Sequence, residues 1–204
     1  MATQTQTKNK KFFTTMDILI MAVVAAIGAV LSAFVINPIV RSMQIASPFV
    51  SMWPGSLHLL SIVLGGMLVK KPGAGIATAL INGLCQMLFG SASGVLCLVY
   101  GVGNGIGAEL GLILFKYKPS MISTMVMAGL ATMTGFFVDL IYWFGDFTFG
   151  FKVLYLVDAF FAGLIVCGLI GWGLLLALEK AGVTKLGRKT AKEGDKEKNV
   201  ELKE

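Results

Sequence analysis

Six apolar stretches divide the chain, at roughly residues 18–36, 54–69, 73–89, 93–115, 121–144 and 153–178. Each is near the ~20 residues that a helix needs to cross the hydrocarbon of a bilayer. The breaks between them carry charge unevenly. Lys8, Lys10 and Lys11 precede the first stretch, Lys70 and Lys71 follow the second, and Lys116 and Lys118 follow the fourth. Lys180, Lys185, Arg188, Lys189, Lys192, Lys196, Lys198 and Lys203 follow the sixth, while the alternate breaks hold only Arg41 and Lys152. Positive charge stays on the cytoplasmic side during insertion. The alternation therefore predicts six spans with both termini inside. The expected fold class is an all-α integral membrane protein, a single bundle of six transmembrane helices. The expected location is the cell membrane, multi-pass, with both termini cytoplasmic.

Composition narrows this further. With 56% hydrophobic and 14% charged residues, the chain is not an ordinary soluble domain. Three segments are expected: a cytoplasmic N-terminal piece (1–15), a transmembrane substrate-binding domain (16–178), and a charged tail (179–204) too poor in aliphatics to bury a core. The short breaks leave no room for a soluble catalytic domain. The net charge of +6 is that of inside-loop anchors beside anionic lipid, not of a nucleic-acid surface. The start reads as a retained first helix rather than a signal peptide. Cys85, Cys97 and Cys167 lie in apolar stretches without metal-ligand spacing. With one histidine in the chain, no His-based metal cluster is available. No nucleophile elbow or phosphate loop appears. No enzyme and no cofactor are expected.

Helix 1 carries Ala25, Ala29 and Ala33 at every fourth position, with Ala22 and Ala26 beside them. Such a smooth stripe lets another helix approach closely, either within the chain or on another subunit. The segment from Asn37 to Pro54 contains Pro38, Pro48 and Pro54 with Trp53. Its prolines forbid a simple continuous helix. It reads as an outside loop, either a lid or an element of the membrane interface. Gly101, Gly103, Gly105, Gly107 and Gly111 are not a dinucleotide fingerprint, because no strand precedes them. They give a close-packing helix face.

Polar groups inside spans are costly and therefore informative. The topology places His58, Asn82, Gln86, Tyr100, Asn104, Asp139, Tyr142, Trp143 and Asp158 in the outer halves of five helices, with Trp53 just outside. Asn82 and Gln86 are four apart, as are Tyr100 and Asn104, so each pair shares a face. Amides, aromatic faces and carboxylates at one depth suit a small planar heteroaromatic, neutral or cationic. Glu109 lies in the inner half of helix 4, about two turns from Lys116, and is expected either to pair with a basic residue there or to bear on coupling to a partner.

Together these parts resemble the substrate-binding S components of energy-coupling factor (ECF) transporters, and most of all their YkoE branch, associated with thiamin and its hydroxymethylpyrimidine precursor. The residues that carry the likeness are the alanine stripe, KKPGAGIATALINGLCQMLFGSASG (70–94) and GVGNGIGAELG (101–111). Some members of the branch carry carboxylates near the positions of Ala79 and Gln86, which leaves Asn82 and Gln86 to read a ring with amides here. The resemblance implies a subunit of an ECF-type ABC importer. It would capture the vitamin outside and dock through Ala22, Ala25, Ala26, Ala29 and Ala33 on a membrane scaffold subunit served by two cytoplasmic ATPases. A different vitamin, or an intramembrane lipid-modifying enzyme, are the alternatives.

Overall fold

The computed structural model describes residues 13–182. The tail beyond, and nearly all of the N-terminal segment, lie outside the described residues. Every regular element among the described residues is helical. They are α1 (Thr15–Leu31), α2 (Asn37–Ala46), α3 (Pro48–Gly55), α4 (Leu60–Val69), α5 (Ala74–Leu88), α6 (Leu96–Leu114), α7 (Met121–Tyr142), α8 (Phe149–Ala162) and α9 (Gly168–Lys180). Several of these run on without a turn. Five continuous apolar helices are long enough to cross a membrane: Thr15–Ala46, Pro48–Val69, Leu96–Leu114, Met121–Tyr142 and Phe149–Lys180. The sixth crossing is α5, an apolar helix of 15 residues, about 22 Å long at 1.5 Å per residue.

Local chemistry sets the ends. Thr14 and Asp17 form a reciprocal cap on α1: the Thr14 N–H donates to Asp17 Oδ2 (2.7 Å) and the Asp17 N–H donates to Thr14 Oγ1 (3.2 Å). Asp17 also takes the Lys71 ammonium at 2.5 Å, tying α1 to the turn before α5. A π-helical turn over Ser32–Ile36 joins α1 to α2. It sits just ahead of Pro38, whose ring would clash with the preceding turn of a regular α-helix, and the wider turn makes room. The chain breaks only at Ser47, which is extended (φ −160°, ψ 122°). The segment 37–54 is therefore not the loop expected from its prolines. Pro48 occupies a first-turn position of α3, where a missing N–H is tolerated. Pro38 follows the π turn within the continuous helix Thr15–Ala46, and Pro54 lies inside α3, just before the 3₁₀ turn.

Close helix approach comes from two glycine faces of α6. A Cβ on Gly107 would lie 2.4 Å from the Leu130 carbonyl oxygen and one on Gly111 2.5 Å from Met127 Cα, both on α7. A Cβ on Gly105 would lie 2.9 Å from Ile76 Cα on α5. Met67, Leu112, Met127 and Leu175 fill the main apolar core. Met52, Phe144, Tyr155 and Ala159 form a second, aromatic-rich cluster towards α3, α7 and α8.

Two expectations need correction. Ala25 and Ala29 are 0% exposed. The Asn82 amide donates to the Ala25 carbonyl (3.0 Å), and Gly28 lies against Ser61 so closely that a Cβ there would sit 2.2 Å from the serine Cβ. This part of the stripe packs α1 against α4 and α5 of the same chain, and in this conformation it presents no surface to another subunit. Ala22, Ala26 and Ala33 keep partial exposure. Glu109, in turn, pairs with no basic residue among the described residues. It accepts the Gly73 N–H (2.7 Å), the Gly75 N–H (3.1 Å) and the Tyr117 hydroxyl (2.5 Å). It thus caps the open N-terminus of α5 from a neighbouring helix, where a carboxylate is favoured. Burial, with the Glu109 carboxylate alongside, pushes the Tyr117 hydroxyl up to about 12.

Candidate functional site

At one end of the bundle the helices enclose a cavity of about 430 Å³, within the size range of small-molecule sites. Of the residues expected at the site, His58, Asn82, Gln86, Tyr100, Asn104, Asp139 and Trp143 line it. Tyr142 does not: it is 53% exposed and faces away. Trp53 and Asp158 lie beside each other and outside the cavity lining. One helical turn separates Asp158 from Tyr155, and it is Tyr155 that turns inward.

Helices α2 to α8 all contribute to its wall. On α5, Gln86 donates to Asn82 Oδ1 (2.6 Å), and Asn82 donates to Ser61 Oγ and to the Ala25 carbonyl (3.0 Å each). Asn82 is thereby committed to holding α1, α4 and α5 together. Gln86 is the more available amide: beyond its bond to Asn82, its Oε1 accepts only a long bond from the Asn37 amide at 3.4 Å. On the 3₁₀ turn before α4, His58 Nδ1 faces the Gly55 carbonyl at 2.5 Å, so this nitrogen carries the proton. His58 Nε2 then accepts from Asn104 Nδ2 (3.2 Å), which assigns the neutral tautomer. The other amide atom, Asn104 Oδ1, is buried without a hydrogen-bond partner and rests on Gly135, where a Cβ would come within 1.7 Å. Gly135 is therefore a requirement of the site.

On the opposite wall, Asp139 is 8% exposed. Tyr100 donates to its Oδ1 and Tyr155 to its Oδ2 (3.2 Å), while the Trp143 indole N–H donates to Tyr100 (3.2 Å). A carboxylate has about four acceptor positions, so two hydroxyls leave it able to take further N–H donors. Phe136, Phe144 and Tyr155 supply ring faces to the cavity, with Tyr155 5.8 Å from Phe136 and 5.0 Å from Phe144 by ring centroid. Asn37, Val40, Arg41 and Gln44 of α2, with Pro48, Ser51 and Gly55 of α3, cover the remaining side.

Sequence reasoning missed Tyr155, Phe136, Phe144, Arg41, Asn37 and Gln44. Tyr155 carried a usable signal: it lies one helical turn from Asp158, at a similar depth, and is aromatic. The α2 residues carried none while 37–54 read as a loop. Among the described residues, no group of three His, Cys, Asp or Glu side chains is placed to hold a metal ion.

This is the arrangement of a multi-pass membrane protein with a small-molecule cavity buried among its helices. The family model for the permease component of ABC-type cobalt transport systems matches residues 16–137, and the chain belongs to that family. The family is one of transport proteins, which sets aside the lipid-modifying enzyme. A protein of Bacillus subtilis (strain 168) described as "Putative HMP/thiamine permease protein YkoE" is 27% identical over 123 residues, 59% of this chain and 62% of the relative. The match thus spans less than two thirds of that relative's length. A crystal structure of an S-component of an ECF transporter superposes with a TM-score of 0.78 at 22% identity, covering 92% of this chain and 98% of the other. The fold is the one that S-component adopts.

Proposed function

We propose that this chain is the substrate-binding subunit of an ECF-type importer, taking thiamin or its hydroxymethylpyrimidine precursor into the cavity from the outer face. The observation that carries this reading is the Asp139 wall: a buried carboxylate oriented by two tyrosine hydroxyls and flanked by aromatic rings. An aminopyrimidine offers N–H donors to such a carboxylate and a flat face to such rings. Gln86 supplies both a donor and an acceptor for the ring edge. The permease name of the Bacillus relative and the S-component fold support the same substrate class and transport role.

The proposal includes the partners. A membrane scaffold and two cytoplasmic ATPase subunits would drive release, since this chain has no nucleotide-binding motif. The lipid-facing side of α1 would meet the scaffold through Ala22, Ala26 and Ala33. The basic inside breaks support a cell-membrane location with both termini cytoplasmic. They also support the division into 1–15, a binding domain over 16–178 and a tail over 179–204.

Calorimetry on the purified chain, without ATP, against thiamin, hydroxymethylpyrimidine and a panel of other B vitamins tests the function. Saturable one-to-one binding of a pyrimidine is expected. Binding of a different vitamin alone would keep the class of protein and remove the substrate.

A further inference from the structure

The cavity holds two opposite charges that do not serve each other. Asp139 is buried on the α7 wall and satisfied by Tyr100 and Tyr155. Arg41 is on α2 at the exposed rim, and its guanidinium meets only the Ser93 hydroxyl, at 3.3 Å. Among the described residues it is the one cationic side chain lining the cavity, and neither of the two ion pairs formed there involves it. The other outer-side cation, Lys152, is occupied by the Gly145 carbonyl at 2.6 Å.

A guanidinium carries five N–H donors in a planar fork suited to phosphate and carboxylate oxygens. One neutral hydroxyl leaves most of them free. Ser93, on the turn before α6, holds the Arg41 guanidinium at the mouth, so an anionic group arriving there would meet the free guanidinium N–H groups with the serine hydroxyl beside them. A ligand whose heteroaromatic end reaches Asp139 would direct its far substituent towards this rim.

We infer that Arg41 is a specificity-determining residue that reads an anionic phosphate ester at the mouth of the cavity, so that the site prefers the phosphorylated form of its heteroaromatic ligand over the free alcohol. This rests on the binding-site reading above and adds the ligand's second pole. The rim is solvent-accessible, so the preference weakens as salt screens it.

The experiment is calorimetry of the full chain in detergent against matched pairs: thiamin and thiamin monophosphate, hydroxymethylpyrimidine and its phosphate, pyridoxine and its phosphate, riboflavin and its phosphate. Wild type and Arg41→Gln are compared, with Arg41→Lys as the conservative variant and a melting temperature to establish folding. In the wild type the phosphate ester of the bound pair should be favoured by about tenfold, the scale of one charge-assisted contact. Arg41→Gln should bring the ratio close to one, Arg41→Lys should retain part of it, and the wild-type ratio should shrink towards about 0.5 M salt. Pyrimidine binding without a preference, or with one that survives Arg41→Gln in folded protein, overturns this inference and leaves the proposed function standing; Arg41 is then an anchor in the membrane interface. A preference confined to a non-pyrimidine pair upholds the inference and overturns the pyrimidine. Binding of no pair overturns both.

Discussion

Asp139 and Asn82 show how differently two buried polar residues of one cavity are used. Asn82 spends its amide on Ser61, the Ala25 carbonyl and Gln86, so its removal would unlatch helices before it touched a ligand. Asp139 keeps acceptor capacity facing the cavity, and its two tyrosine partners can reorient around a neutral amide, since a hydroxyl both donates and accepts. Asp139→Asn should therefore stay folded, with a melting temperature close to wild type. It should lose roughly ten- to a hundredfold in affinity for a cationic pyrimidine, the range expected for a hydrogen bond to a charged group. Titration of both proteins with thiamin decides the matter: equal affinities would remove Asp139 from the site.

At the scale of elements, α1 has two faces with different duties. Ala29 is enclosed by its own chain, so Ala29→Trp has no room and should abolish folded protein in detergent extracts. Ala26 retains exposure towards the bilayer. Ala26→Trp should leave ligand affinity unchanged while blocking vitamin uptake in cells that carry the complete importer. Uptake by Ala26→Trp at the wild-type rate would place the scaffold elsewhere. The turn before α5 makes a separate case. Lys70 and Gly73 there adopt left-handed conformations (φ 56° and 82°), and Glu109 holds the Gly73 and Gly75 N–H groups. Glu109→Ala strands these donors and the Tyr117 hydroxyl, at a cost of about 1–3 kcal/mol. A lowered melting temperature with an unchanged dissociation constant is expected, because the cavity lies in the other half of the bundle. A loss of affinity with no loss of stability would contradict this placement.

For the whole molecule, hydropathy was enough to lay out the spans of the bundle. Six apolar stretches match five long helices and the shorter α5, because a segment in lipid must satisfy its own backbone and helix is the open-ended way to do so. Depth was equally legible: counting residues from each lysine-bearing turn brought His58, Gln86, Tyr100, Asn104, Asp139 and Trp143 to one level, and all of them line the cavity. Rotation about each helix axis was not legible. Tyr142 and Trp143 are neighbours at the same depth, yet the Trp143 indole reaches Tyr100 while Tyr142 points outward. Asp158 and Tyr155 exchange places in the same way. Small residues mark a close-packing face without saying what packs there, so Ala29 and Ala26 could not be told apart from their spacing. The 37–54 segment misled through its prolines: Pro48 suits a first turn, while Pro38 and Pro54 are accommodated by an adjoining π turn and 3₁₀ turn. Span number, order and polar depth thus follow from the sequence, because transfer to lipid acts on each segment alone. Which side chains face the cavity, which alanines are covered and what Glu109 holds were decided only by tertiary packing, because each depends on the rotation and closeness of helices distant in the chain.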